Sequence, residues 1–208
     1  MWLAFYNQSV GDVLMLTRSK IDQAQVEIEK KADICLIKDG DSQEIVAINI
    51  FGVDDLNIKG QGSIQLNQDQ VDLINQHFSQ AGVEIAIEVD PSDKFVVGEV
   101  EDCQALEDSD HLSITKVNVG QDERLQIVCG AQNIRTGLKV LVAKVGAVMP
   151  SGLIIWPGQL RGVDSYGMIC STRELGLTDI EDLPGIWELD DTLAAGTGLD
   201  QVKAYYHA

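Results

Sequence analysis

Apolar and polar residues alternate with period two over Gln25-Val26-Glu27-Ile28-Glu29, as in a half-buried strand. Two further apolar runs, residues 33–37 and 44–51, flank Lys38-Asp39-Gly40-Asp41-Ser42-Gln43, and the Asp-Gly step within that connection marks a hairpin. Over 68–81 the period lengthens. Val71, Ile74, Phe78 and Ala81 recur on one helical face, Asn67 can cap the start, Gln70 stands at the capping-box position and Gly82 supplies the stop. His77 borders that stripe and reads as a surface or boundary residue. At 89–94 the composition shifts and Pro91 discourages helix before it, so a linker is expected there. The pattern predicts a small acidic domain of mixed helix and strand, α+β in class, over 1–90, and a second domain over 91–208.

From Phe95 onward the pattern is almost all strand, with short apolar runs at 95–103, 112–119, 125–129, 138–145, 153–155 and 168–170. In the second run Leu112 and Ile114 have one parity, Val117 and Val119 the other. Keeping both pairs on one face calls for a bulge near Lys116. Gly98 inside the first run fits the same need for sharp coiling. Many short bent strands with little helix predict a small closed or nearly closed barrel. The stretch 183–206, with Ile186, Trp187, Leu189, Leu193 and Val202, offers apolar surface to cover that barrel or to meet a second copy.

With 208 residues, 45% of them hydrophobic, the chain is long enough for two compact cores and too apolar to be disordered. Cys35, Cys103, Cys129 and Cys170 form no C-x-x-C pair, and His77, His111 and His207 show no H-x-x-x-H spacing, so neither a zinc site nor a disulfide framework is expected. Each cysteine lies in or beside an apolar run, as a small buried hydrophobe would. No apolar run approaches the length needed to cross a bilayer, and Met1–Asn7 lacks the basic start of a signal peptide. A cytoplasmic protein is expected.

Charge alters this picture. A formal net charge of −18 argues at first against any polyanionic partner. Residues 1–94 hold 7 basic and 16 acidic side chains, residues 95–189 hold 7 and 14, and residues 190–208 hold 1 and 3. Within the second segment, Arg124, Arg135, Lys139, Lys144, Arg161 and Arg173 face a single acid, Asp164, across the window 124–173. That window carries +5 and the remaining residues −23, so the sequence permits a local basic patch inside an acidic chain.

Signals for covalent chemistry are weak. Val163-Asp164-Ser165-Tyr166-Gly167 approaches a nucleophile elbow but has Val163 where the first glycine belongs, and its only downstream histidine is His207. The acidic stretch Glu107-Asp108-Ser109-Asp110-His111 lacks the glycine and closing glutamate of a calcium loop. Gly60-Gln61-Gly62-Ser63 and Gly196-Thr197-Gly198 lead into no Gly-Lys-Ser/Thr. No catalytic residue, cofactor or metal is expected.

Four linked stretches carry a resemblance. Val96-Val97-Gly98-Glu99-Val100, Asp110 to Gly120, Leu125 to Gly137 with its Cys129-Gly130-Ala131-Gln132-Asn133 turn, and Leu160 to Ser171 stand in the order found in the tRNA-binding domain family. That family includes the N-terminal module of the bacterial phenylalanyl-tRNA synthetase β subunit. With an acidic domain placed before the module, the arrangement resembles the small free-standing tRNA-binding proteins of the YtpR type. The resemblance covers roughly 95–177 and implies an oligonucleotide-binding (OB) fold, so the fold class expected is an α+β N-terminal domain followed by an all-β OB-fold barrel. It further implies structure-specific tRNA binding by a non-catalytic module. The resemblance carries Asn133, Arg161, Ser165 and Met168 over as contact residues, and the basic window adds Arg135, Lys144 and Tyr166: bases for phosphates, and an amide, hydroxyls and a thioether for exposed bases and sugars. Trp156 can stack on RNA or pack beneath residues 149–152. A homodimer and an aminoacyl-tRNA synthetase are the implied protein partners, and the alternative is a docking adaptor with weak residual RNA affinity. The chain departs from the family pattern at Leu106-Glu107, His111 and Gln132.

Overall fold

The computed structural model describes residues 1–9, 11–20, 25–107 and 109–207, so Asp108 of the acidic stretch lies outside the described residues. The chain forms two compact units, Met1–Pro91 and Ser92–Ala208. Among the described residues the regular structure is mostly β-sheet, with two short α-helices. Among the described residues no helix is long and apolar enough to cross a membrane.

In the first unit β1 (Leu3–Tyr6), β2 (Val13–Thr17), β3 (Val26–Lys31), β4 (Ile34–Asp39), β5 (Ile45–Phe51) and β6 (Gly62–Ile64) form one sheet, ordered β3-β4-β5-β2-β1-β6. Every pairing is antiparallel. Alternation sends Leu14, Leu16, Ile34, Leu36, Ile48 and Ile50 to one face, where they bury Val71, Ile74 and Phe78 of helix α1 (Gln68–Gln80). The capping box forms as the sequence reads: the Gln70 N–H donates to Asn67 Oδ1 and the Asn67 N–H to Gln70 Oε1. Gly82 ends the helix with φ of +66°. In the β4–β5 hairpin the Asp39 carboxylate accepts from the N–H groups of Asp41 and Ser42, which holds its pKa below the usual range. His77 sits at the boundary of the packed face, 2.9 Å from Asp33.

In the second unit β7 (Phe95–Ala105), β8 (Ser113–Asn118), β9 (Arg124–Cys129), β10 (Lys139–Lys144) and β13 (Gly167–Cys170) make the main path, ordered β13-β10-β7-β8-β9, of a six-stranded antiparallel sheet. The sheet curls until its two edges meet. The Tyr166 N–H, just before β13, donates to the Gln126 carbonyl of β9 at 2.9 Å, and the Val128 N–H donates to Ser165 Oγ at 3.1 Å. Gly98 sits where the curl is tightest: a Cβ there would lie 2.5 Å from Val117 and 2.7 Å from Val142.

Three sequence expectations change here. The bulge lies in β7, between Val100 and Asp102, opposite the Lys116–Val117 step, and β8 runs regularly. Thr115, Val117 and Val119 share the inner face; Thr115 fits there because its hydroxyl donates to the Ile127 carbonyl at 2.8 Å, so Leu112 and Ile114 need not be brought inside. Residues 153–155 form one bridge, Val148 with Ile154, where a strand was expected. The unit also contains helix α2 (Leu199–Tyr206), which the strand-dominated reading passed over although Leu199 and Val202 stand at helical spacing.

The C-terminal stretch covers its own barrel. Ile186, Trp187, Leu189, Leu193 and Val202 are all buried, and β14 (Glu188–Leu189) pairs with β10. Gly196-Thr197 is a backbone strap: the Gly196 N–H donates to the Val97 carbonyl and the Val97 N–H to the Thr197 carbonyl, both at 2.8 Å.

Candidate functional site

Most of the residues singled out in the sequence fall into four places on the second unit. The first is the seam where the sheet closes. Ser165 is buried, and its hydroxyl accepts from Val128 and donates to the Gly167 carbonyl at 3.4 Å, so it is a closure residue. Tyr166 is 41% exposed beside it, its hydroxyl 3.3 Å from an Asp164 carboxylate oxygen. Gln126, which the sequence reading missed, donates to the Asp164 carbonyl at 2.8 Å.

The second is the tip of a hairpin formed by β11 (Gly158–Leu160) and β12 (Val163–Ser165). Leu160 pairs with Val163, leaving Arg161-Gly162 as a two-residue turn with φ of +49° and +79°. Positive φ at both positions is the type I′ geometry that hairpin twist favours, and it explains the glycine of the Arg-Gly-Val element. It also places a non-glycine residue, the exposed Arg161, in the left-handed region.

The third is a clamp between the Cys-Gly-Ala turn and the C-terminal stretch. Asn133 Nδ2 donates to the Ile186 carbonyl and to Glu188 Oε1, and Asn133 Oδ1 accepts from the Ile186 N–H, each at 3.0 Å. Arg135 grips Glu188 through both oxygens, at 3.1 and 2.9 Å. The guanidinium, with help from Asn133, holds the Glu188 carboxyl below the usual range. Nothing in the sequence singled out Glu188, because it lies 53 residues from Arg135.

The fourth place is spread over the barrel. Lys144 bonds Glu123, Arg124 bonds Glu101 at 2.9 Å, Lys139 bonds Glu99 at 2.8 Å and Arg173 bonds Asp182 at 3.2 Å. With Arg135 on Glu188, at least five of the six bases in the 124–173 window stand beside acids from outside it. The window arithmetic could not register this, since every partner is contributed by a segment beyond its ends.

Met168 is partly buried and borders a cavity of about 310 Å³, lined also by Val128–Ala131, Ile169, Ser171, Arg173, Glu174, Gly185 and Ile186. Cys129 and Cys170 are buried near it, with thiol pKa values raised by desolvation, that of Cys170 to about 12, so neither is a ready nucleophile. Trp156 is half-buried. His207 bonds Asp179 at 3.0 Å while Ser165 faces Val128, so the weak elbow pattern has its two polar residues engaged elsewhere.

Residues 95–198 match a family described as "Putative tRNA binding domain", and residues 21–90 match a domain of unknown function. The "Putative tRNA-binding protein YtpR" of Bacillus subtilis is 45% identical over 93% of this chain and 96% of its own length. The phenylalanine–tRNA ligase β subunit of Idiomarina loihiensis is 50% identical over 56% of this chain, which spans 15% of that subunit. Among solved structures, a MetRS related protein from Pyrococcus horikoshii aligns with a TM-score of 0.37 at 17% identity, over 64% of this chain and 97% of that one.

Proposed function

The chain belongs to the tRNA-binding domain family, and on that footing we propose that it binds tRNA without catalysing a reaction. The observation that carries this reading is similarity running almost end to end with a relative named for tRNA binding. The second unit is read as an OB fold, in keeping with five antiparallel strands curled until β9 meets the segment before β13. The first unit is read as a separate α+β domain over 1–90, and the site of action as the cytoplasm. A homodimer and an aminoacyl-tRNA synthetase partner belong to the same reading, the latter in keeping with the similarity to a ligase subunit.

The contact surface is centred on the β11–β12 tip and the seam, where Arg161 and Tyr166 are exposed. Ser165 acts by holding that surface in shape, Asn133 by fixing the neighbouring Ile186–Glu188 stretch, and Arg135 and Lys144 reach a phosphate only by leaving a glutamate. Fluorescence anisotropy with labelled tRNA tests the reading: the full chain is expected to bind at low salt and to weaken as salt rises. Arg161→Glu is expected to weaken it further. Absence of binding at low salt overturns the proposal.

One observation favours a second reading. Five ion-paired bases leave little net positive charge for RNA, as befits a protein-docking adaptor. If Arg161→Glu loses tRNA while a synthetase still co-purifies, the adaptor role stands beside the RNA site.

A further inference from the structure

We infer that the cavity beside Met168 is a pocket for one unstacked guanine base of the bound RNA, an inference that rests on the tRNA-binding reading above. Stretches far apart in sequence converge on it: the Cys129-Gly130-Ala131 turn, Met168, the Arg173-Glu174 pair and Gly185-Ile186. At about 310 Å³ it lies at the small end of ligand pockets, suited to a planar ring.

Its chemistry narrows the ring. Val128, Ile169 and Ile186 give apolar walls, and the Met168 thioether can lie against a π face. The Ser171 N–H and hydroxyl both donate to Glu174 Oε2, at 2.8 Å each, and Ser171 is itself buried. That grip fixes the carboxylate and leaves Oε1 to accept from a ligand. Guanine alone among the four bases presents a ring N–H and an amino group side by side on its pairing edge, and the two lone pairs of Oε1 can accept from both. Arg173 bonds Asp182 through Nη1, so its other N–H groups are available to O6 and N7, the acceptors arginine reads on guanine.

The wall opposite the turn exists because of the clamp. Asn133 is a positioning residue: it holds Ile186 by backbone donor and acceptor, and Gly185, at φ of +96°, sits so close that any Cβ would run into the Asn133 side chain. RNA-binding proteins commonly take splayed bases into such recesses. The polar asparagine of the Cys-Gly-Ala turn thereby acquires a function without touching RNA.

Two variants of the full chain test the pocket. Ala131→Leu fills it, and Glu174→Gln keeps an acceptor for Ser171 while replacing the free oxygen with a donor. Both are expected to weaken tRNA binding about tenfold with an unchanged salt slope, since no phosphate contact is lost. Arg161→Glu serves as the comparator that lowers the slope. In amide NMR, guanosine monophosphate is expected to shift Cys129, Gly130 and Ile186 in the natural chain and not in Ala131→Leu, with adenosine, cytidine and uridine monophosphates weaker. If tRNA binds and responds to Arg161→Glu while both pocket variants bind normally, the pocket inference falls and the tRNA reading stands. Equal shifts from all four nucleotides, or none, also overturn it. If the natural chain binds no tRNA, the underlying reading fails instead.

Discussion

At the scale of single residues, Asn133 shows how a side chain chosen for contact chemistry can serve architecture. Its amide satisfies both backbone groups of Ile186 and one oxygen of Glu188, so truncation leaves a partly buried donor and acceptor without partners. Asn133→Ala is expected to destabilise the second unit by about 1–3 kcal/mol, seen as a lower urea midpoint by tryptophan fluorescence, because buried Trp187 adjoins Ile186. Glu188 makes the same clamp sensitive to pH. Its folded-state pKa is lowered, chiefly by the Arg135 hydrogen bond, so the stability it contributes is present above the ordinary glutamate pKa. That stability is lost as pH falls from the ordinary glutamate range through the lowered value. The stability gap between the natural chain and Glu188→Gln should therefore close over that range; a gap independent of pH would show that the ion pair adds nothing.

At the scale of elements, the curl of the second sheet depends on one missing Cβ. Gly98 stands on β7 where Val117 and Val142 approach from the two neighbouring strands, and no backbone strain is involved. Gly98→Ala is expected to cost about 1–3 kcal/mol by overpacking, and adding Val117→Ala should recover part of it in a double-mutant cycle. Much at this scale was legible in the chain. Helix α1, its capping box and the β4–β5 hairpin follow from signals a few residues apart, which a linear pattern records fully. The bulge was misplaced because parity alone cannot tell which partner strand holds the extra residue, and Thr115 looked polar until its hydroxyl met Ile127. The β11–β12 hairpin was missed because Arg-Gly is a rarer type I′ turn than Asn-Gly. The clamp and the cavity were hidden for a different reason: the clamp partners lie 53 residues apart and the cavity draws on three separate segments, and only the closed fold joins them.

For the whole molecule, charge decides how RNA can be held. The net charge of −18 and the +5 window each describe a sum, whereas an RNA backbone meets individual cations at contact range. At least five of the six bases in that window already hold carboxylates, so a phosphate that takes one of them must release an acid into an already negative surface. Such an exchange frees few counterions. Six independent phosphate contacts would give a log–log salt slope of about −4 to −5, whereas one or two contacts give about −1 to −2. The shallow slope is expected here, with affinity resting on shape and base contacts. Glu123→Gln removes the acid beside Lys144, and it should both tighten tRNA binding and steepen the slope by about 0.7–0.9. A slope near −5 in the natural chain would mean that the ion pairs open on binding, so that the acids act as placeholders that RNA displaces.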